Sequence, residues 1–120
     1  MIGTVDASTR ALLEIRVGNR LDGDYHRVTA WIDTAFDGHL VFPLELIREL
    51  ALDALVETEA ILADGSNVVL ETYVCYIEWF GSRVPLQVVA NKGRFPLLGT
   101  GLLDQRILHI DYVKNTLALD

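Results

Sequence analysis

The sequence feature that most constrains this chain is an apolar run, Val28 to Ile32, that ends abruptly in Asp33-Thr34-Ala35-Phe36-Asp37-Gly38. A strand built from that run carries a carboxylate from the core to the core edge. Burial there is costly unless the group is hydrogen-bonded or shares its charge with a partner. A hydroxyl, a small residue and the Asp37-Gly38 turn signal follow at once. Everything else in the sequence bears on what such a carboxylate is for.

The surrounding chain reads as short strands separated by turns. Residues 1–10 are polar and are expected to be loosely held. Leu12–Val17 alternates as a strand, Asp22-Gly23 marks a turn, and His26–Ile32 is the strand that delivers Asp33. Leu40–Phe42 is a short strand. Pro43 opens a helix ending near Leu52, with Leu44, Ile47 and Leu50-Ala51 at helical spacing. Val56–Leu62 and Asn67–Thr72 flank Asp64-Gly65-Ser66 as a hairpin, and Tyr73–Phe80 and Arg83–Ala90 form a second about Gly81-Ser82. Phe95–Leu98 stops at Gly99, a short helix is expected over Thr100–Gln105, and Ile107–Tyr112 and Leu117–Leu119 close the chain around Lys114-Asn115. A strand, a loop and a short helix around Asp33 are echoed around Leu97-Leu98-Gly99. The pattern predicts an all-β single domain over residues 1–120, a small closed β-barrel with one or two short helices.

Composition narrows the partners. A formal charge of −7 argues against nucleic acid and against an anionic membrane surface. With 51% hydrophobic and 22% charged residues, the chain is globular and not disordered. No apolar stretch reaches the roughly 18 residues of a spanning helix, and Met1–Leu12 has no apolar core of a signal peptide. Cys75 is the only cysteine, so no internal disulfide forms; it reads as a buried inert thiol and fits a cytoplasmic location. His26, His39 and His109 lack short metal-ligand spacing. Ser66 and Ser82 sit in turns with no paired base, which disfavours a serine hydrolase. Trp31, Tyr76, Trp79 and Phe80 read as core or interface aromatics.

An Asp-Ser/Thr-Gly/Ala triplet arises by chance in roughly one chain in ten of this length, so Asp33-Thr34-Ala35 alone is weak and Asp33 could simply cap a turn. Three motifs together are far more specific. Asp33-Thr34-Ala35-Phe36-Asp37, the hairpin tip Leu62-Ala63-Asp64-Gly65-Ser66, and Leu97-Leu98-Gly99 followed by Leu102-Leu103 occur in the order and spacing of the retropepsin-like aspartic proteases. With Ile110-Asp111-Tyr112 as the closing strand, the chain resembles the small single-domain bacterial branch of that clan from about Leu13 to its end.

The resemblance implies an acid-protease-like fold and peptide hydrolysis by water held between two aspartates, with no cofactor. This chain has one such triplet: Asp64, Asp104 and Asp111 are followed by the wrong residues. A dyad therefore implies a homodimer with Asp33 and its symmetry mate on a two-fold axis. Asp33, Thr34 and Ala35 become the catalytic loop, Thr34 reaching across the two-fold and Ala35 leaving room for close backbone approach. Asp37 binds substrate main chain, Leu62, Ala63, Asp64 and Gly65 form the flap, Leu97 lines a side-chain pocket, and Gly99 packs behind the loop. The partners implied are a second copy and a peptide or protein substrate. Four features depart from the retroviral pattern, the first being Ala35 where Gly is commoner. Thr100 stands where those proteases place an Arg opposite the second Asp. The flap tip is charged and less Gly-rich. The termini that build the dimer sheet are here Leu117 and Leu119 with a polar N-terminus. Two rivals remain: a retropepsin-fold binding domain with little or no activity, and a structural β module of a larger assembly.

Overall fold

The computed structural model describes residues 1–61 and 64–120, with the side chains of 56–61 and 68–70 left out. The strands are β1 (Ile2–Val5), β2 (Ala11–Gly18), β3 (His26–Ile32), β4 (Leu40–Pro43), β5 (Asp53–Ile61), β6 (Asn67–Trp79), β7 (Ser82–Asn91), β8 (Leu97–Leu98), β9 (Leu108–Asp111) and β10 (Thr116–Leu119). Two short helices, α1 (Leu44–Glu49) and α2 (Thr100–Leu103), interrupt them. The architecture is therefore all-β with two short helices. None of the described helices is long and apolar enough to cross a membrane.

The strands form one sheet in the order β5-β6-β7-β4-β8-β3-β2-β1-β10-β9. Where β5 leaves the edge of β6 at Val74, β2 takes its place, pairing Val17 with Ile77 and Gly18 with Tyr76. That contact closes six strands, β2, β3, β8, β4, β7 and β6, into a ring. Alternation fills it: Leu13, Ile15 and Val17 of β2, Val28, Ala30 and Ile32 of β3, and Leu40, Phe42, Cys75, Ile77 and Val88 are buried together. Burial pushes the Cys75 thiol up to about 12, so it stays protonated and unreactive.

Two expectations change. The N-terminus is not loosely held: β1 pairs with both β2 and β10, and Val5 is buried. Its alternation, Ile2 out, Gly3 in, Thr4 out, Val5 in, is too short and too polar to announce itself. Gly3 is required there, because a Cβ would run into the backbone carbonyl of Leu12. The two strands read at Asn67–Thr72 and Tyr73–Phe80 are one, β6. It keeps a single extended path while its partners change, and no Gly or Pro occurs from Asn67 to Trp79 to break it. Its hairpin with β7 turns at Phe80-Gly81, both with positive φ (49° and 85°), the geometry that two-residue hairpins favour.

Candidate active site

β3 and β4 follow one another in sequence but do not pair. β8 lies between them, parallel to β3 (Trp31 with Leu97, Ile32 with Leu98) and antiparallel to β4 (Leu40 with Leu98). The sequence echo thus has a spatial meaning: the two segments lie side by side and end at one level, Asp33 beside Gly99. The ladder continues past the strands. The Trp31 amide donates to the Pro96 carbonyl (2.8 Å) and the Asp33 amide to the Leu98 carbonyl (2.9 Å). The backbone of Asp33 is therefore fixed to the buried Leu98 while its side chain stays partly exposed.

The loop from Asp33 to His39 is tied to the 99–101 segment by backbone bonds. Gly99 donates to His39 (2.9 Å), Gly101 to Gly38 (3.0 Å) and Thr100 to Phe36 (2.8 Å). The Thr100 hydroxyl donates to the same Phe36 carbonyl (3.2 Å). Gly99 is buried, and a Cβ there would press on the Gly38 carbonyl and the Phe36 ring and lie 2.7 Å from the Phe36 carbonyl oxygen. The expected role of Gly99 as close packing behind the loop thus has a steric cause. Within the loop the Ala35 amide donates to Asp33 Oδ1 (3.0 Å) and the Phe36 amide to the Asp33 carbonyl (3.3 Å). The first bond orients the carboxylate, leaving Oδ2 for a partner or a water.

Thr34 and Ala35 are exposed on the loop, and Leu97 is half-buried between Trp31 and Val41. Asp37 is exposed and borders an open cleft with Thr100, Gly101, Leu103, Asp104 and Gln105. Among the described residues no Lys or Arg forms an ion pair with it. Leu62 and Ala63 lie outside the described residues. Asp64 and Gly65 form the turn between β5 and β6, with Gly65 at φ 86°. Asp64 Oδ1 accepts the Ser66 hydroxyl (2.6 Å) and amide (2.9 Å), which hold the Asp64 carboxyl below its ordinary value.

Two contributors escaped the sequence reading. Phe36 supplies the carbonyl that both Thr100 donors share and the ring that Gly99 accommodates; the glycines at 38 and 99 are the only sequence hint. Arg10 lies over Phe95 (4.5 Å) and Trp31 (5.8 Å), and these rings meet edge to face at 6.1 Å. Asp6 holds it through an ion pair of 2.7 Å. Trp31 is accordingly 39% exposed beside the loop and is not a core residue. No local motif links Arg10 to residues 21 and 85 positions away.

Comparison with solved structures decides the fold. Over 99% of its length the chain superposes on 88% of a retropepsin-like aspartic protease from Rickettsia conorii, with a TM-score of 0.73 and 17% identity. The fold is retropepsin-like. EIAV protease in complex with the inhibitor HBY-793 is also similar, with a TM-score of 0.59 and 15% identity over 85% of this chain and 92% of that one. No model of a known protein family matches the sequence, and no curated protein matches it. On this retropepsin-like frame Asp33 lies at the end of an inner strand, with Gly99 in register beside it.

Proposed function

We propose that the chain is an aspartic endopeptidase that acts as a homodimer. The observation that carries the reading is the single Asp33 carboxylate, presented at the end of β3 with its backbone bonded to Leu98, on a retropepsin-like fold. Two such carboxylates side by side cannot both ionise easily, so they share a proton and titrate as a pair. The ionised member takes a proton from a water held between them, and that water attacks the peptide carbonyl. The protonated member gives its proton to the carbonyl oxygen. Collapse of the tetrahedral intermediate then releases the amine, which takes up a proton.

The remaining roles are those the family resemblance implies. Thr34, exposed next to Asp33, reaches across the two-fold, and Ala35 orients the carboxylate through its amide. Asp37 meets substrate main chain in the cleft it borders, Leu97 lines a side-chain pocket, and Leu62, Ala63, Asp64 and Gly65 close over the substrate. The lone buried thiol of Cys75 suits the reducing cytoplasm, where we place the protein.

The test is a degenerate peptide library incubated with the protein, new amino termini being read by mass spectrometry. Cleavage whose rate per chain rises with protein concentration is the expected result. No new termini at any concentration at which the chain is dimeric would return the protein to the binding-domain reading.

A further inference from the structure

The cations of this acidic chain are unevenly placed. There are 10 Lys and Arg against 17 Asp and Glu. Arg10, Arg16, Arg27 and Arg83 are ion-paired within the chain. Arg106 stacks on the Phe80 ring at 3.6 Å. Arg20 and Lys114 lie in separate loops. The other three, Arg48, Lys92 and Arg94, are exposed and form no ion pair among the described residues. All three line one open cavity of about 820 Å³, a volume in the range of ligand sites.

Local structure brings the three together. β4 and β7 pair in parallel, Pro43 beside Asn91, so α1 and the turn after β7 leave the sheet at one point. Ile47 and Leu50 turn the inner side of α1 into the core and leave Arg48, in its last turn, outside. Asn91 Oδ1 accepts the Gly93 amide (3.0 Å), which fixes the turn that carries Lys92 and Arg94. Half-buried Pro43, Leu44 and Ala90 supply an apolar wall. Two acids, Glu45 and Glu71, share the lining, and Glu71 Oε2 already accepts the Tyr73 hydroxyl (2.9 Å). The cavity is apart from the Asp33 loop. β4 starts at Leu40, level with Ile32 across Leu98, and runs antiparallel to β3, away from Asp33. Pro43 lies three residues farther on, about 10 Å along the strand. No residue of the 33–39 loop or of the 97–104 segment lines the cavity.

We infer that this cavity binds an acidic peptide segment, at a site distinct from the Asp33 loop. Three cations without ion-pair partners, set around an apolar wall, concentrate positive potential on a chain that is negative elsewhere. A guanidinium takes a carboxylate with two parallel hydrogen bonds, and arginine clusters recognise acidic motifs in this way. The two acids in the lining decide the kind of anion. Glu45, Glu71 and the net charge of −7 repel a continuous run of phosphates. A peptide spaces its carboxylates with neutral residues, so they can meet Arg48, Lys92 and Arg94 while its apolar atoms lie on Pro43 and Leu44. The inference goes beyond the aspartic-protease reading and does not depend on it.

Fluorescence anisotropy of a labelled peptide of alternating Glu and Ala tests this on the full chain carrying Asp33→Asn, so that nothing is cut. Saturable binding that weakens with added salt is expected, with a Gln and Ala peptide bound about 10-fold more weakly. Lys92→Ser with Arg94→Ser should lower affinity about 10-fold. Arg20→Ser with Lys114→Ser removes the same charge elsewhere and should change it by less than about twofold. Should the first pair fail to fold, Arg48→Ser, on a different element, decides with an expected loss of about threefold. Absence of binding, equal binding of the Gln peptide, equal loss in the two double variants, or tighter binding of a single-stranded oligonucleotide overturns the proposal. Peptide cleavage by the wild type without binding of the Glu peptide keeps the protease and removes this site. Binding by a chain that cleaves nothing keeps the site and removes the protease.

Discussion

Asp33 and Asp64 are both carboxylates in turns, and both accept an amide from two residues ahead. They are held in opposite ways. The Asp33 loop is tied to residues 60 or more positions away, through the Leu98 carbonyl and the Gly99, Thr100 and Gly101 amides. It packs so closely that Gly99 has no room for a methyl group. The Asp64 turn is bonded to Ser66, and a Cβ at Gly65 would meet nothing within 4 Å. On the proposed reading the difference suits a group that must be positioned against a group that covers: long-range backbone bonds over-determine the first, while among the described residues the second carries only local ones.

Substitutions sharpen this contrast. Asp33→Asn keeps an oxygen for the Ala35 amide and so should leave the melting temperature unchanged. Turnover of a cleaved peptide should fall by about 10³-fold or more, and retained turnover would remove Asp33 from the chemistry. Gly99→Ala should cost about 2–3 kcal/mol by overpacking against Phe36 and Gly38. It should lower the melting temperature by about 10 °C and reduce activity with it. Gly65→Ala, by contrast, meets open space and pays only for its positive φ, about 1 kcal/mol confined to the turn. A drop as large as that of Gly99→Ala would erase the distinction between the two turns.

The smallest effect is electrostatic. The Ser66 hydroxyl is the foremost cause of the lowered Asp64 value, so Ser66→Ala should move that carboxyl up toward its ordinary 3.8 in an NMR titration. The sign follows from linkage. A carboxyl lowered in the folded turn contributes its stabilisation above the unfolded value and loses it as pH falls through the folded one. An unmoved titration in Ser66→Ala would mean that the hydroxyl bond is not formed in solution.

How far the sequence foretold the molecule depends on the range of the interaction. His26–Ile32 was legible to the residue, because alternation between buried and exposed positions is written locally. The Asp33 triplet was legible too, while its tie to Leu97-Leu98-Gly99 came only through the family resemblance. The course of β6 was not, since a strand that changes partners carries no mark where one ends and the next begins. β1 was missed because four residues that owe their order to β2 and β10 have no pattern of their own. Arg10 over Phe95 and Trp31 was invisible for the same reason: it is a product of β2, β3 and β8 lying side by side.

The central claim is that one working site needs two Asp33 carboxylates from two chains. Mixing wild-type protein with Asp33→Asn at equal amounts, allowing exchange and holding total chain concentration at saturation of the dimer, tests it most directly. If the dyad is shared, only dimers of two wild-type chains cleave, and the mixture should show about a quarter of the wild-type rate. A rate of about one half, linear in the wild-type fraction, would mean that each chain carries its own site and would contradict the account.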